Sequence, residues 1–287
     1  MVLKGTGVAL VTPFDKNLSI DYSALQGLLD FVSKGVEYLV VQGTTGESPT
    51  LSLKEKQEIL KFVKDNNDDK LPIVYGIGGN NTNEVISQIN STDLSGVEAI
   101  LSVSPYYNKP SQSALIRHYT MIADVSPVPV ILYNVPGRTG GNLNAGTTLE
   151  LSKHNNIIGI KEASGNMDQI TEIALNKEDS FLLISGDDML TVPMISLGAA
   201  GVISVISNAF PMEFGDLVRK ALEGDFKSER PNYRILNRIN PLLYKESNPV
   251  GIKQVLKSMG ICEGYCRPPL FEASENLQKE IKMVLKK

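Results

Sequence analysis

Short apolar runs alternate along the chain with longer segments in which apolar residues recur every three or four positions. Eight of the short runs are rich in β-branched residues, and several are apolar at consecutive positions, which is typical of parallel strands buried on both faces. These runs predict eight strands, over Gly7–Val11, Tyr38–Gln42, Ile73–Gly76, Ala99–Val103, Val130–Tyr133, Ile157–Lys161, Leu182–Ser185 and Val202–Val205.

The segments between the strands have the periodicity of amphipathic helices. Asp21–Ser33 places its leucines and a valine on one face. Ser52 and Glu55 have the spacing of a capping box, which predicts a helix from there to about Lys64. Further helices are predicted over Ser113–Val125, Met167–Leu175 and Pro211–Leu222, the last with proline at its start.

The order of these elements predicts the fold class, which is α/β. Strand, helix and strand repeated eight times indicates parallel strands joined by crossover helices, and such units close into a (β/α)8 TIM barrel over residues 1–224. A doubly wound open sheet is the alternative. The first strand, however, is followed by Thr12-Pro13-Phe14 and not by the glycine-rich loop that binds phosphate in such sheets.

Residues 225–287 lack the strand pattern and are predicted to form a C-terminal helical extension packed on the barrel. Helical periodicity is interrupted there at Asn248-Pro249 and at Pro268-Pro269. The chain is therefore predicted to divide into a catalytic barrel and a helical region.

Composition and charge exclude several classes of partner. The 287 residues carry a formal net charge of −4 and no basic stripe, so neither nucleic acid nor an anionic membrane is an expected partner. No apolar run is long enough to span a bilayer, and the N-terminal apolar run is too short for a signal peptide. With two histidines, and Cys262 and Cys266 as the only cysteines, we expect no metal site and reduced thiols in a cytoplasmic protein.

The sixth predicted strand ends in a lysine, at the edge where barrels of this kind carry their reactive groups. A neutral lysine amine attacks carbonyls to form a Schiff base, and apolar surroundings disfavour the ammonium form of Lys161. Pairing with Glu162 is disfavoured because strand alternation points the two side chains to opposite sides. Tyr133 ends the neighbouring fifth strand and could relay protons. From these residues alone, an imine-forming pair and a structural lysine both stay open.

The loops after other strands carry further candidate groups. Thr44 and Thr45 offer hydroxyls and backbone N–H groups that could hold a small carboxylate, although a plain turn is an equal alternative. Arg138 could bind a carboxylate with its fork of donors, or form a surface salt bridge. Tyr106 and Tyr107 indicate an interface or a substrate wall, unless they serve only loop packing.

The last two strand ends offer less. Asp187 and Asp188 follow the seventh strand and raise the question of a metal, but with no further ligands clustered near them a helix N-cap is the favoured interpretation. The eighth strand carries no ionisable group, so at most its backbone lines the pocket.

Seven segments carry recognisable motifs that fall in order along the chain. They are VTPF at Val11–Phe14, GTTGES at Gly43–Ser48, SPYYNKPSQ at Ser104–Gln112, YNVPGRTG at Tyr133–Gly140, GIKEASG at Gly159–Gly165, SGDD at Ser185–Asp188 and NPVGIK at Asn248–Lys253. Together they resemble the dihydrodipicolinate synthase family of pyruvate-dependent Schiff-base lyases. The resemblance implies a barrel that needs no cofactor and condenses pyruvate with L-aspartate 4-semialdehyde to give 4-hydroxy-tetrahydrodipicolinate, in lysine and diaminopimelate biosynthesis.

The resemblance also implies roles for individual residues. Lys161 condenses with pyruvate, and Tyr133 shuttles protons during imine formation and cyclisation. Thr44 links Tyr133 to Tyr107 in the proton path, and Thr45 helps to hold the pyruvate carboxylate.

Three further residues are implied in substrate binding. Arg138 binds the carboxylate of the semialdehyde, while Gly186 and the backbone of Ile203 line the pyruvate site. Tyr107 is expected to enter from a neighbouring subunit, and the family is usually a homotetramer built as a dimer of dimers.

Feedback inhibition by L-lysine is expected to be weak or absent. Members that are inhibited use residues matching four that are present here, Ser48, Asn80, Glu84 and Tyr106. They tend to carry histidine or an aromatic residue where this chain has Leu53, and often histidine where it has Lys56. Leu53 removes a polar contact, and Lys56 places a cation near the ammonium end of a bound lysine.

Two alternatives stay open. A sister aldolase, of the N-acetylneuraminate lyase or keto-deoxy sugar acid type, shares the barrel, the lysine and the tyrosine, but an arginine matching Arg138 is characteristic of the synthase. The other alternative is a barrel that only binds a small keto acid, as a sensor.

Overall fold

Eight parallel strands close into a barrel in chain order. The computed structural model describes residues 3–228 and 230–286. The predicted (β/α)8 TIM barrel is thereby confirmed, and the open sheet is excluded. The strands are β1 Gly5–Ala9, β2 Tyr38–Val41, β3 Ile73–Gly76, β4 Ala99–Val103, β5 Val130–Asn134, β6 Ile157–Glu162, β7 Leu182–Ser185 and β8 Gly201–Ser204.

The first strand begins and ends two residues earlier than the sequence predicts. Its start is fixed by Glu37, whose backbone N–H donates to the Thr6 carbonyl and whose carboxylate accepts from the Thr6 N–H. At its other end the Asn208 amide donates to the Ala9 carbonyl at 2.8 Å and accepts from the Val11 N–H at 3.1 Å. A side chain therefore replaces the strand ladder there, which apolar patterning does not reveal.

The helices follow the predicted periodicity closely. They are α1 Tyr22–Val32, α2 Leu53–Asp65, α3 Thr82–Ser91, α4 Gln112–Val125, α5 Pro136–Thr139, α6 Ala145–Leu151, α7 Met167–Asn176, α8 Thr191–Ser196, α9 Pro211–Leu222, α10 Arg230–Tyr244, α11 Val250–Ser258 and α12 Glu275–Leu285. The predicted capping box at Ser52 and Glu55 opens α2 with both reciprocal hydrogen bonds. No helix of the described residues has the length and apolar character needed to cross a membrane.

Two compact units make up the chain, residues 1–71 with 204–287 and residues 72–203. In the first, α9 approaches the segment after α1 so closely that glycines are required. A Cβ on Gly215 would lie 2.0 Å from the Gly35 carbonyl oxygen, and one on Gly35 would lie 2.3 Å from the carbonyl carbon of Pro211. The helices α10, α11 and α12 pack on one another in the same unit. The boundary at residue 224 between a catalytic barrel and a helical region stays a prediction.

In the second unit, strand register places the side chains that matter for chemistry. Val103 on β4 pairs with Tyr133 on β5, Tyr133 pairs with Lys161 on β6, and Lys161 pairs with Ile184 on β7. The strands are buried along nearly their whole length. Packing on both faces therefore fixes this register.

Candidate active site

Lys161 and Tyr133 are direct register partners on adjacent strands. The Lys161 Nζ lies 4.4 Å from the centroid of the Tyr133 ring. Both side chains are nearly buried, with 6% and 7% of their surface exposed. The amine and the phenol that the sequence expected to be neighbours are thus brought together at the carboxyl ends of β5 and β6.

Within the part of the chain that the structure describes, the Lys161 amine has no partner that would hold it as a structural cation. Among residues 3–228 and 230–286, none forms a hydrogen bond or an ion pair with its Nζ. A buried ammonium normally has a carboxylate beside it, because an unpaired charge is costly to bury. The arrangement therefore suits an amine that reacts, and does not suit one that serves to neutralise a neighbouring charge.

Glu162 lies on the opposite side of β6 and is fully occupied by neutral donors. Its carboxylate accepts from the Asn134 Nδ2 at 3.0 Å, from the Gln169 Nε2 at 3.0 Å and from the Ser164 N–H at 2.6 Å. Asn134 in turn accepts from the Leu143 N–H at 3.0 Å. This network links β5 to β6 one residue beyond Tyr133 and Lys161, and so helps to fix the relative position of that pair.

Gly186 leaves room for the Lys161 side chain. A Cβ at position 186 would lie 2.6 Å from the Ala163 Cβ, which is closer than side chains tolerate, and 3.1 Å from the Lys161 Cε, which would have to shift. The Gly186 N–H donates to the Glu162 carbonyl at 2.8 Å, which holds the glycine in place. Ile203, the other residue expected to line this site, is buried in β8.

Thr44 and Thr45 lie in a tight double turn of the first unit. Two short 3-10 helices, Thr44–Gly46 and Ser48–Thr50, are joined by Glu47. Thr44 is half-buried, whereas Thr45 is buried and its Oγ1 accepts a hydrogen bond from the Asn248 Nδ2 at 3.0 Å. We call residues 44–50 the Thr44–Thr50 turn. The sequence left open whether this segment is only a Gly-Thr turn. The structure shows a turn that is also held by a side chain 203 positions away, that of Asn248.

Tyr107 and Arg138 are exposed, in contrast to the buried lysine and tyrosine. Tyr107 exposes 89% of its surface and has a φ of 72°, a left-handed conformation that is rare for an aromatic residue. Its backbone N–H donates to the Thr139 carbonyl at 3.3 Å. The Arg138 guanidinium makes no ion pair within the described part of the chain, so the surface salt bridge considered from the sequence is absent there.

Asp187 closes a turn and does not cap a helix. Its Oδ1 accepts from the Met189 and Leu190 N–H groups, at 2.9 and 3.2 Å. The next helix begins later, at Thr191, with Leu190 as its N-cap residue. The helix N-cap expected at Asp187 and Asp188 is therefore wrong, because the Asp187 side chain folds back on the loop before the helix starts.

Comparison with known proteins agrees with the architecture and the motifs. A model of the dihydrodipicolinate synthetase family matches residues 2–287. The chain belongs to this family. Relatives named 4-hydroxy-tetrahydrodipicolinate synthase include one from Cytophaga hutchinsonii, 51% identical over 96% of this chain and 94% of its own, and one from Parabacteroides distasonis, 47% identical over 99% and 96%. The crystal structure of the Aquifex aeolicus dihydrodipicolinate synthase is 39% identical, covers 99% of this chain and 97% of its own, and has a TM-score of 0.94.

Six residues were considered from the sequence in connection with inhibition by L-lysine. In the first unit, Ser48 lies in the Thr44–Thr50 turn, Leu53 is exposed at the start of α2, and burial lowers the pKa of the half-buried Lys56. In the second, the Asn80 Nδ2 donates to the Tyr106 carbonyl at 3.1 Å, and Glu84 is exposed on α3.

Several residues that hold the Thr44–Thr50 turn or the Glu162 carboxylate in place were not singled out by sequence reasoning. They are Glu47, Asn134, Gln169, Asn248 and Lys253. Most of them lie inside the motifs that mark the family, where a polar residue within an apolar segment is the available signal. Lys253 and Asn248 lie 206 and 203 positions from their partners Glu47 and Thr45, and Asn134 lies 28 positions from Glu162, so no local pattern connects these pairs.

Proposed function

We propose that this chain condenses pyruvate with L-aspartate 4-semialdehyde through a Schiff base on Lys161. The product is 4-hydroxy-tetrahydrodipicolinate, an intermediate of lysine and diaminopimelate biosynthesis. The observation that carries the proposal is the buried Lys161 amine over the Tyr133 ring, which no described residue binds by a hydrogen bond or an ion pair, in a chain of the dihydrodipicolinate synthetase family.

In the first half-reaction, the neutral Lys161 amine attacks the C2 carbonyl of pyruvate. The resulting carbinolamine loses water to give an imine, and Tyr133 moves the protons that this requires. Loss of a proton from C3 then converts the imine to an enamine. The proximity of phenol and amine supports this step, because proton transfer needs the two groups within reach of the same reacting atoms.

In the second half-reaction, the enamine carbon attacks the aldehyde of the semialdehyde and forms the new carbon–carbon bond. The amino group of the second substrate then attacks C2 and displaces Lys161, which closes the ring and frees the enzyme. Over the whole cycle one water is released. Arg138 binds the carboxylate of the semialdehyde, a role supported by a guanidinium that no residue of the described chain neutralises.

The remaining site residues bind pyruvate or carry protons. Thr45 holds the pyruvate carboxylate, Thr44 passes the proton between Tyr133 and Tyr107, and Gly186 lines the pyruvate site. The backbone of Ile203 lines it too. The close fit of Gly186 beside the Lys161 side chain supports its assignment.

The enzyme acts in the cytoplasm as a homotetramer, a dimer of dimers, with Tyr107 entering the site of a neighbouring subunit. The 89% exposure of Tyr107 in the single chain supports this, because an aromatic ring so exposed is suited to an interface.

Turnover of candidate substrates tests the function. The protein is incubated with pyruvate and L-aspartate 4-semialdehyde, and in parallel with N-acetylneuraminate alone. Product formation from the first pair, with no cleavage of N-acetylneuraminate, is the expected result. Cleavage of N-acetylneuraminate without condensation would assign the chain to the sister aldolases, and no turnover of either would favour a keto-acid sensor.

A further inference from the structure

The turn that carries Thr44 and Thr45 is anchored by side chains from residues 248–267. We infer that Glu47, Lys253 and Asn248 are positioning residues that hold the Thr44–Thr50 turn in the conformation that binds the pyruvate carboxylate. None of the three needs to touch the reacting atoms. The inference rests on the proposed function, because it assigns Thr45 to that carboxylate.

Glu47 occupies a backbone conformation that glutamate does not favour. Its φ of 55° and ψ of 34° lie in the left-handed region, between the two 3-10 helices of the turn. A glycine or asparagine would adopt this conformation more readily. A glutamate in this conformation needs stabilising contacts, and the contacts of its carboxylate supply them.

The Glu47 carboxylate is held by a fully buried cation. The Lys253 Nζ lies 2.5 Å from the Glu47 Oε1, and the two side chains expose 0% and 1% of their surface. Lys253 also donates to the Tyr265 carbonyl at 2.8 Å and lies 4.1 Å from the centroid of the Phe14 ring. The Arg267 backbone N–H donates to the other carboxylate oxygen at 2.9 Å. Both charges are compensated, so the turn is fixed to the C-terminal segment at its strained residue.

Asn248 anchors the turn at the threonine itself. Its Nδ2 donates to the Thr45 Oγ1 at 3.0 Å in a buried environment. A hydroxyl has one proton and two lone pairs, so an accepted hydrogen bond leaves its proton to donate elsewhere. Asn248 thus orients Thr45 as a donor, the role that a bound carboxylate requires.

A third contact shows that the anchoring extends along the whole turn. The Arg267 Nη1 donates to the Thr50 carbonyl at 3.0 Å, and the same guanidinium is paired with Glu55 in the helix that follows. The anchored residues Thr45, Glu47 and Thr50 lie within six consecutive residues. Positioning of this turn is therefore a purpose of the segment 248–267, in addition to stability.

The first test replaces the ion pair by neutral side chains. Glu47→Gln with Lys253→Met leaves no uncompensated charge, so the double variant is expected to fold where each single variant is destabilised. Its KM for pyruvate should rise about tenfold or more, because the threonine hydroxyl is misplaced. Lys245→Met, which breaks the surface pair with Glu280 in the same region, is the matched control and should keep the wild-type KM. A folded double variant with the wild-type pyruvate KM would overturn the inference.

The second test does not depend on that double variant folding. Thr45→Val, Asn248→Ala and their combination form a cycle read out by the KM for pyruvate. If Asn248 acts through Thr45, the asparagine change should add little once the hydroxyl is gone. Two full and independent losses would contradict the positioning role.

A control separates failure of this inference from failure of the proposed function. Borohydride with pyruvate should still modify Lys161 in every variant at saturating pyruvate, because the amine is untouched. If the wild-type protein gives no adduct, the proposed function itself is wrong. If only the variants fail at saturating pyruvate, these residues do more than position the turn and the inference is overturned.

Discussion

Lys161 and Lys253 are both buried lysines with their Nζ atoms over aromatic rings, at 4.4 and 4.1 Å from the ring centroids. Their surroundings differ in one respect. Lys253 has the Glu47 carboxylate at 2.5 Å, whereas no carboxylate in the described residues lies within salt-bridge distance of Lys161. The charge of Lys253 is therefore neutralised by a protein carboxylate, whereas the amine of Lys161 is left available.

The same contrast separates two arginines. Arg267 donates to both oxygens of Glu55, and to the carbonyls of Leu18 and Thr50. Arg138 is exposed and pairs with no carboxylate of the described chain. Burial and residue type therefore do not separate these cations, whereas a carboxylate partner separates Lys253 and Arg267 from the two cations to which we assign a role in the reaction, Lys161 and Arg138.

The same substitution at the two lysines should affect different properties, activity at Lys161 and stability at Lys253. Lys161→Met is expected to lower activity by more than about 10³-fold, since the nucleophile is lost, with stability kept or raised because a buried unpaired amine is removed. Lys253→Met is expected to cost about 3–5 kcal/mol of unfolding free energy, since it leaves the Glu47 carboxylate buried and unpaired.

Urea unfolding and a steady-state assay, both on the full chain, measure these effects. Equal losses of unfolding free energy in Lys161→Met and Lys253→Met would contradict the proposed difference between an unpaired and a paired lysine.

Arg138→Ala should change one substrate constant and spare the other. The KM for L-aspartate 4-semialdehyde is expected to rise about 10–100-fold, since a charge-assisted bidentate contact is lost, while the KM for pyruvate stays close to wild type. Arg117→Ala, at another exposed arginine, on α4, is the matched control. Equal increases in the KM for the semialdehyde and the KM for pyruvate would contradict the assignment of Arg138 to the semialdehyde carboxylate.

The paired arginine should make stability depend on acid pH. Hydrogen bonds from Arg267 lower the pKa of Glu55 from 4.5 to about 2. A lowered carboxyl pKa contributes stability above pH 4.5 that is lost as the pH falls toward 2. Glu55→Gln should therefore flatten the fall in unfolding free energy over that range, because the ionisable partner is gone.

Glu58→Gln is the control for this prediction, because Glu58 is exposed on the same helix and its nearest cation, Lys54, is 3.7 Å away. The pairing would carry no pH dependence if both variants followed the wild-type curve.

The smallest expected effect concerns Lys56, a half-buried cation that is paired with no described residue. L-lysine at millimolar concentration should leave most of the activity intact, because Lys56 repels the ammonium of the effector and Leu53 offers it no polar contact. Replacing both with histidine should increase inhibition. A titration that shows strong inhibition of the wild-type enzyme at sub-millimolar L-lysine would contradict this prediction.

Sequence patterning was sufficient for the fold and for the Tyr133–Lys161 pair. Apolar runs mark buried strands, and consecutive parallel strands are neighbours in a barrel, so residues at the ends of β5 and β6 had to meet. The capping box and the Pro211 start of α9 are local signals, and the structure has both.

The sequence did not reveal how the charged groups pair. Glu47 and Lys253 are 206 positions apart, and Glu55 and Arg267 are 212 apart. No periodicity connects residues so distant. Position 47 is left-handed but is occupied by glutamate and not by glycine or asparagine, so the sequence does not indicate that conformation either. The wrong N-cap at Asp187 and Asp188 has a different, local cause, because an aspartate can fold back on a loop or cap a helix with the same local sequence.

Trapping the imine distinguishes Lys161 from Lys253 as the nucleophile. The protein is incubated with pyruvate, reduced with borohydride and digested, and the masses of the peptides that contain Lys161 and Lys253 are measured. We expect one reduced pyruvate adduct on the Lys161 peptide, an unmodified Lys253 peptide, and no adduct in Lys161→Met. An adduct on Lys253, or an unchanged yield in the Lys161→Met protein, would contradict the assignment of Lys161 as the nucleophile.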